Sequence, residues 1–311
     1  MIYFLFFTVN LFNMKKLFLF IGFGLIALIF LAVILSLALT SFCGLSGEIA
    51  VIPIKGDITS SSGSFSYSMT SSQIAEKIRQ ADADPLINAI FLDIDSGGGS
   101  VVATKEIVYA VKETKKPVVA YIGEVGASGA YYIAAASDLV VSDEDSLTGS
   151  IGVISTSTNL EGLMEKLGVK MSILKEGEFK DMGSPYRDLT EEEEKLLQEI
   201  LLQASTNFKE NILEFRGDKL NSIQFYEIAD GRIFSGKKAV EYGLIDFTGS
   251  RQFALKKTAE LAGIKGEPAL REYGEIETDF FSLLAKSGYS FGSGFISSVK
   301  SSNSEFELQA K

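Results

Sequence analysis

Ala89-Ile90-Phe91-Leu92-Asp93-Ile94-Asp95-Ser96-Gly97-Gly98-Gly99-Ser100 runs from an apolar, β-branched strand into a glycine turn. Val101–Glu113 then spaces its apolar residues three and four apart, as a helix with one buried face does. The same change of period recurs on both sides. Glu48–Ile54 and Pro117–Ile122 read as strands, and Ser72–Ala83 reads as a helix. Strands and helices that alternate in this way predict an α/β fold with a mainly parallel sheet.

The glycine turn admits three uses. It can be a tight strand-to-helix connection, it can hold an anion at a helix N-terminus, or it can donate main-chain N–H groups to the oxyanion of an acyl-transfer intermediate. The nucleotide-binding spacings GxGxxG and GxxxxGK[ST] are absent, which disfavours a phosphate ligand. The oxyanion use requires a nucleophile opposite. Gly126-Ala127-Ser128-Gly129-Ala130-Tyr131-Tyr132 offers Ser128 between a strand and the apolar helix Ala130–Ala136, although Ala130 breaks the full G-x-S-x-G pattern and a simple capping serine gives the same sequence.

The chain has 311 residues and no histidine, so Ser128 cannot use a Ser-His-Asp relay. A lysine, a carboxylate or a terminal amine must serve as base. Lys180, 52 residues further on in Gly177-Glu178-Phe179-Lys180-Asp181-Met182-Gly183-Ser184-Pro185, is the candidate, and Leu147-Thr148-Gly149-Ser150-Ile151-Gly152 offers a second serine to hold its amine. Asp181 reads as a solvated or structural partner of the lysine. Cys43 is the only cysteine, which excludes an intrachain disulfide and, with histidine absent, the soft-ligand routes to zinc. The expected chemistry uses no metal and no cofactor. A net charge of −11 argues against nucleic acid as a partner.

Leu17–Leu39 is almost wholly apolar, and at ~1.5 Å per residue it is long enough to cross a hydrocarbon core of ~30 Å. Lys15 and Lys16 precede it and Glu48 follows, so the positive-inside rule puts the N-terminus in the cytoplasm and the remainder outside. Phe42 stands where a signal-peptide cleavage site needs a small residue, which favours an uncleaved anchor. Met14-Lys15-Lys16 reads as a more natural start than Met1. Further on, Thr190 with Glu193 forms a capping box for a helix reaching to about Arg216, with Leu197, Ile200, Ala204, Phe208 and Ile212 along its packed face.

The order and spacing of these motifs, together with Asp230-Gly231-Arg232-Ile233-Phe234-Ser235-Gly236 and Gly243-Leu244-Ile245-Asp246, resemble the signal peptide peptidase A family of membrane-anchored serine proteases. The resemblance covers about Glu48 to Ala262. It implies a Ser-Lys dyad in which Ser128 is the nucleophile, Lys180 the base, Ser150 the hydroxyl that orients the lysine, and Gly99, with Gly98 beside it, the oxyanion donor. The family usually has proline at the position of Gly97, which leaves the oxyanion assignment open by one residue. The fold implied is the repeated β-β-α spiral of crotonases and Clp-type proteases behind an N-terminal transmembrane helix. Residues 1–45 are then a cytoplasmic stub and anchor, 46–268 the peptidase domain and 269–311 a weakly ordered tail.

The resemblance further implies a single-pass cell-membrane protein with an extracytoplasmic catalytic domain, acting on remnant signal peptides and other apolar peptides. One copy of each motif matches the single-repeat members, which assemble as homo-oligomers with active sites at subunit interfaces. The rival expectations are a Clp-class membrane protease acting on stomatin-like partners and a catalytically silent oligomeric scaffold.

Overall fold

The computed structural model describes residues 28–33, 47–61 and 69–273. The chain divides into two units, Met1–Gly47 and Glu48–Lys311. In the first, residues 28–33 are helical and exposed, and the rest of the expected membrane span lies outside the described residues. Among the described residues no helix is long and apolar enough to cross a membrane.

The second unit begins β1 (Glu48–Lys55), α1 (Ser71–Ala83), β2 (Ile87–Ser96), α2 (Val101–Glu113), β3 (Val118–Ala127), α3 (Gly129–Ala135), β4 (Leu139–Ser142) and β5 (Leu147–Gly149). It continues with α4 (Glu161–Leu167), α5 (Glu191–Arg216), α6 (Ser222–Ile228), β6 (Ile233–Ser235), α7 (Gly236–Glu241), β7 (Phe247–Thr248), α8 (Arg251–Leu261) and β8 (Ala269–Glu272). The sheet runs β6-β5-β3-β2-β1-β8, with β4 and β7 on a branch from β3. All pairings are parallel except β5 with β6. This is the mixed α/β sheet that the alternating pattern predicts.

The central strands are apolar at nearly every position because both faces of the sheet are covered, as parallel sheets require. On β1, Ile49 and Val51 pack with Phe91, Val119 and Ala254, whereas Ala50, Ile52 and Ile54 join Ile78, Leu92 and Ile107 on the other face. Each strand thus feeds two cores by its period of two.

β3 carries the architectural decision. Its first half, Val119–Ile122, pairs with β4, and its second half, Val125–Ala127, pairs with β5. The sheet forks at that point and leaves the end of β3, where Ser128 follows, beside β5 and its terminal Ser150.

Two sequence expectations need correction. Ala269–Glu272, assigned to a weakly ordered tail, form the edge strand β8 against β1. Arg271 ties that edge down through Asp84 at 2.6 Å and through Glu48. The second concerns α5, whose capping box forms as expected. Of its predicted packed face only Phe208 and Ile212 are buried, and Ile200 is 55% exposed. The N-terminal half of the helix runs past the core, so Leu197 and Ala204 are only partly covered and Ile200 stays open among the described residues.

At its other end α5 is anchored by a buried ion pair. Arg216 donates to both carboxylate oxygens of Asp246 at 3.0 Å and to the Gly243 carbonyl at 3.1 and 3.2 Å. Tyr131 on α3 donates to the Leu244 carbonyl in the same turn at 2.9 Å.

Candidate active site

Ser128 occupies the joint between β3 and α3 with φ 53° and ψ −121°, and its side chain caps no helix N–H. A non-glycine residue held there costs about 1–3 kcal/mol. Its own N–H donates to Gly149 O at 2.8 Å. The turn cannot relax by moving α3 outward, because Gly129 lies against α2. A Cβ at Gly129 would stand 2.4 Å from Thr104 Oγ1. Close approach of two helices thus lifts the serine out of the fold, and the hydroxyl is left available for chemistry.

Ser150 has the same backbone feature, with φ 51°, and its N–H donates to Arg232 O at 2.8 Å. Both serines line one cavity of about 430 Å³ together with Gly97 and Gly99. Val101, Val102, Tyr132, Ile154 and Phe208 make much of its wall apolar.

The glycine loop presents its two candidate N–H groups differently. The Gly98 N–H is consumed by Ser96 Oγ at 3.1 Å, and the Gly98 carbonyl accepts from Ile58 N at 2.9 Å. Gly98 does not line the cavity. Ser100 N donates back to Ile58 O at 2.9 Å, so Ile58 grips the loop on either side of Gly99. Gly99 itself reaches the cavity, and its N–H has no acceptor among the described residues. It lies just before Ser100, the N-cap of α2, at the helix end that favours developing negative charge.

Lys180 is not on this cavity. It sits exposed in a turn between Gly177 and Gly183, both with positive φ, and outside any helix or strand. The adjacent Asp181 accepts from Arg187 and Lys175, which hold its carboxyl well below the usual carboxylate range. Asp181 is therefore a structural partner, as the sequence suggested. Within one protomer the structure brings Ser128, Ser150 and Gly99 together and leaves Lys180 elsewhere.

Sequence reasoning missed three contributors to the cavity. Thr104 and Lys105 come from α2, and Tyr132 comes from α3. Thr104 Oγ1 is buried without a hydrogen-bond partner. Lys105 is half-buried and is the sole basic side chain on the wall among the described residues. For Thr104 and Lys105 the spacing from Val101 on one helix was the available signal, since positions three and four apart share a face.

The profile of peptidase family S49 matches residues 110–265. A Methanocaldococcus jannaschii protein that carries a provisional protease name is 38% identical over 216 residues, covering 68% of each chain. The chloroplastic serine protease SPPA of Arabidopsis thaliana is 32% identical over 259 residues, which is 79% of this chain and 38% of that protein. A solved membrane-bound stomatin-specific protease aligns with TM-score 0.49 at 19% identity, over 73% of this chain and 97% of that one. The chain spans 68%, 52% and 64% of the length of three curated relatives it matches. On the family profile and the matches in sequence the chain belongs to peptidase family S49, the serine peptidases of the signal peptide peptidase A type.

Proposed function

We propose that this protein is a membrane-anchored serine endopeptidase with a Ser128-Lys180 dyad, which hydrolyses remnant signal peptides and other apolar peptides at the extracytoplasmic face. The observation that carries this reading is the one cavity shared by the strained Ser128, the strained Ser150 and the unpaired N–H of Gly99. Its apolar wall suits an apolar peptide side chain.

In the proposed reaction the neutral amine of Lys180, steadied by the Ser150 hydroxyl, takes the Ser128 proton as Oγ attacks the peptide carbonyl. The Gly99 N–H stabilises the oxyanion, and the ammonium returns its proton to the leaving amine. Water then releases the acyl group by the reverse sequence. No cofactor enters.

Because Lys180 is away from its own protomer's cavity, the reading includes a homo-oligomer in which a neighbour supplies the lysine. Exposed apolar side chains around that turn and along α5 support such an assembly. Leu167, Leu174, Ile200 and Leu202 are 68%, 97%, 55% and 64% exposed. The membrane anchor at Leu17–Leu39, a cytoplasmic N-terminus and the spiral form of the forked sheet belong to the same proposal.

A second reading has a specific observation in its favour. Lys105 lines the Ser128 cavity in the same chain, so it could serve as a base in cis. Peptide hydrolysis by Lys180→Met and Lys105→Met separates the two. The dyad proposed here expects loss of turnover in Lys180→Met with substantial activity in Lys105→Met. The reverse pattern establishes the cis base, and full activity in Ser128→Ala removes both.

A further inference from the structure

The Lys180 turn has little to hold it in place. Its backbone closes short turns, Lys180 N to Gly177 O at 3.2 Å and Met182 N to Phe179 O at 3.1 Å, left-handed glycines flank it, and the brace from its own segment is the part-exposed Lys175, which donates to Glu178 O at 2.8 Å and to Asp181 at 2.6 Å. A base on such a loop would wander by ångströms, and misplacement by about 1 Å can cost 100-fold in rate. Something outside the loop must fix it.

The fixing group is Arg187. Its guanidinium has five N–H bonds, and every one has an acceptor. Nε and Nη2 grip Asp181, the residue next to Lys180, at 2.9 and 2.8 Å. Nη1 and Nη2 grip Glu193 at 2.8 and 2.6 Å, and Nη1 also donates to Asp188 O at 2.8 Å. Glu193 is in turn locked, since its carboxylate accepts from Thr190 N at 3.0 Å while its N–H donates to Thr190 Oγ1 at 3.2 Å. Only 2% of the Glu193 side chain is exposed. The fork therefore joins the lysine turn to the capped end of α5, a helix of 26 residues whose far half is set in the core and lines the Ser128 cavity through Ala204 and Phe208.

We propose that Arg187 is the positioning residue for Lys180, a fork that fixes the lysine turn to the N-terminus of α5. This rests on the reading of Lys180 as the base. A lysine at 187 keeps the charge but cannot grip two carboxylates in one plane. A glutamine keeps neither.

The test uses the full-length protein in detergent micelles. Turnover of an apolar peptide is compared for Arg187→Lys, Arg187→Gln, Asp181→Asn and Lys180→Met, alongside hydrogen exchange of residues 177–184. We expect kcat to fall about 30- to 100-fold in Arg187→Gln and less in Arg187→Lys, with KM within about twofold. Exchange in the turn should quicken by about tenfold or more while circular dichroism and oligomer size are kept. Asp181→Asn cuts the fork from its other end without releasing α5 and should reproduce the loss, whereas Lys175→Met, which removes the other cation on Asp181, should keep kcat within about twofold, so the proposal stays testable if the Arg187 variants fail to assemble. Unchanged kcat in Arg187→Gln or Asp181→Asn beside an inactive Lys180→Met overturns the positioning role alone. A fully active Lys180→Met overturns the base, and the positioning role with it.

Discussion

The Ser128 N–H donates to the carbonyl of Gly149 at 2.8 Å, and the next residue after that carbonyl is Ser150. One backbone hydrogen bond thus joins two serines that both hold positive φ, 53° and 51°. Strain of this kind persists only where surrounding packing overrides it, and here it aims two hydroxyls at one cavity. Replacing Ser128 by glycine removes both the hydroxyl and the strain, whereas alanine removes the hydroxyl alone. Both variants should be inactive. Ser128→Gly should be the more stable by about 1 kcal/mol, read as a higher urea midpoint at unchanged slope.

Gly97 and Gly99 are chemically equal and structurally opposite. A Cβ on Gly99 would stand 2.1 Å from the Ile58 carbonyl oxygen, which is backbone and cannot swing aside, but one on Gly97 meets nothing within 4 Å. Gly97→Ala should keep most of its turnover. Gly99→Ala should displace the oxyanion donor and lose about 100-fold or more in kcat. Equal activity of the two variants would remove Gly99 from the oxyanion site.

How much of this was legible in the sequence depends on the range of the forces involved. The capping box at Thr190 and Glu193 is local, and the strand-to-helix turn at Ser128 is local, so both read directly from neighbouring residues. The choice of Gly99 over Gly98 needs Ile58, some forty positions away, which pairs with the loop from outside. β8 escaped for the same reason. Ala269-Leu270-Arg271-Glu272 has weak strand character of its own, and it is held by β1 and by the Arg271 ion pairs. On α5 the apolar period correctly signalled a helix, but a period cannot say what covers each turn, and Ile200 stayed exposed.

The Arg216–Asp246 pair makes a stability prediction. Arg216 is 1% exposed and Asp246 10%. Burial pushes the Asp246 carboxyl up, but hydrogen bonds and charge from Arg216, with help from Lys219, outweigh it and hold the group below its ordinary value. Arg216→Met removes the buried partner and leaves that carboxylate to the part-exposed Lys219 at 2.7 Å and the Val140 N–H at 2.8 Å, so it should cost about 3 kcal/mol, the lower end for a broken buried pair, in urea unfolding. The double change Arg216→Met with Asp246→Leu should recover much of the loss.

Acid affects the Arg187 fork late. Glu193 is lowered to about 2, first by its hydrogen bonds from Arg187 and then by that from Thr190, and Asp181 is also depressed, chiefly by Arg187. Because the folded values lie below the ordinary ones of ~4.3 and ~3.9, the fork's contribution is fully present above pH ~4 and is lost as pH falls through the folded values. Pepsin should therefore leave residues 176–188 intact at pH 4 and cut there as pH approaches 2. Cutting at pH 4 equal to that at pH 2 would contradict the assignment.

The separation of Lys180 from Ser128 within one chain leads to the most direct experiment on assembly. If a neighbour supplies the lysine, Ser128→Ala and Lys180→Ala proteins are each inactive, yet a mixed oligomer contains interfaces where an intact serine meets an intact lysine. Mixing them under conditions of subunit exchange should then restore hydrolysis. For random mixing in equal amounts, about a quarter of the sites should be whole, and the recovered activity should fall on dilution below the assembly concentration. A base in cis at Lys105 predicts instead that Lys180→Ala is active before any mixing, because that protein keeps both Ser128 and Lys105. Mixed oligomers verified by mass spectrometry that remain inactive would overturn a dyad completed by a neighbouring chain.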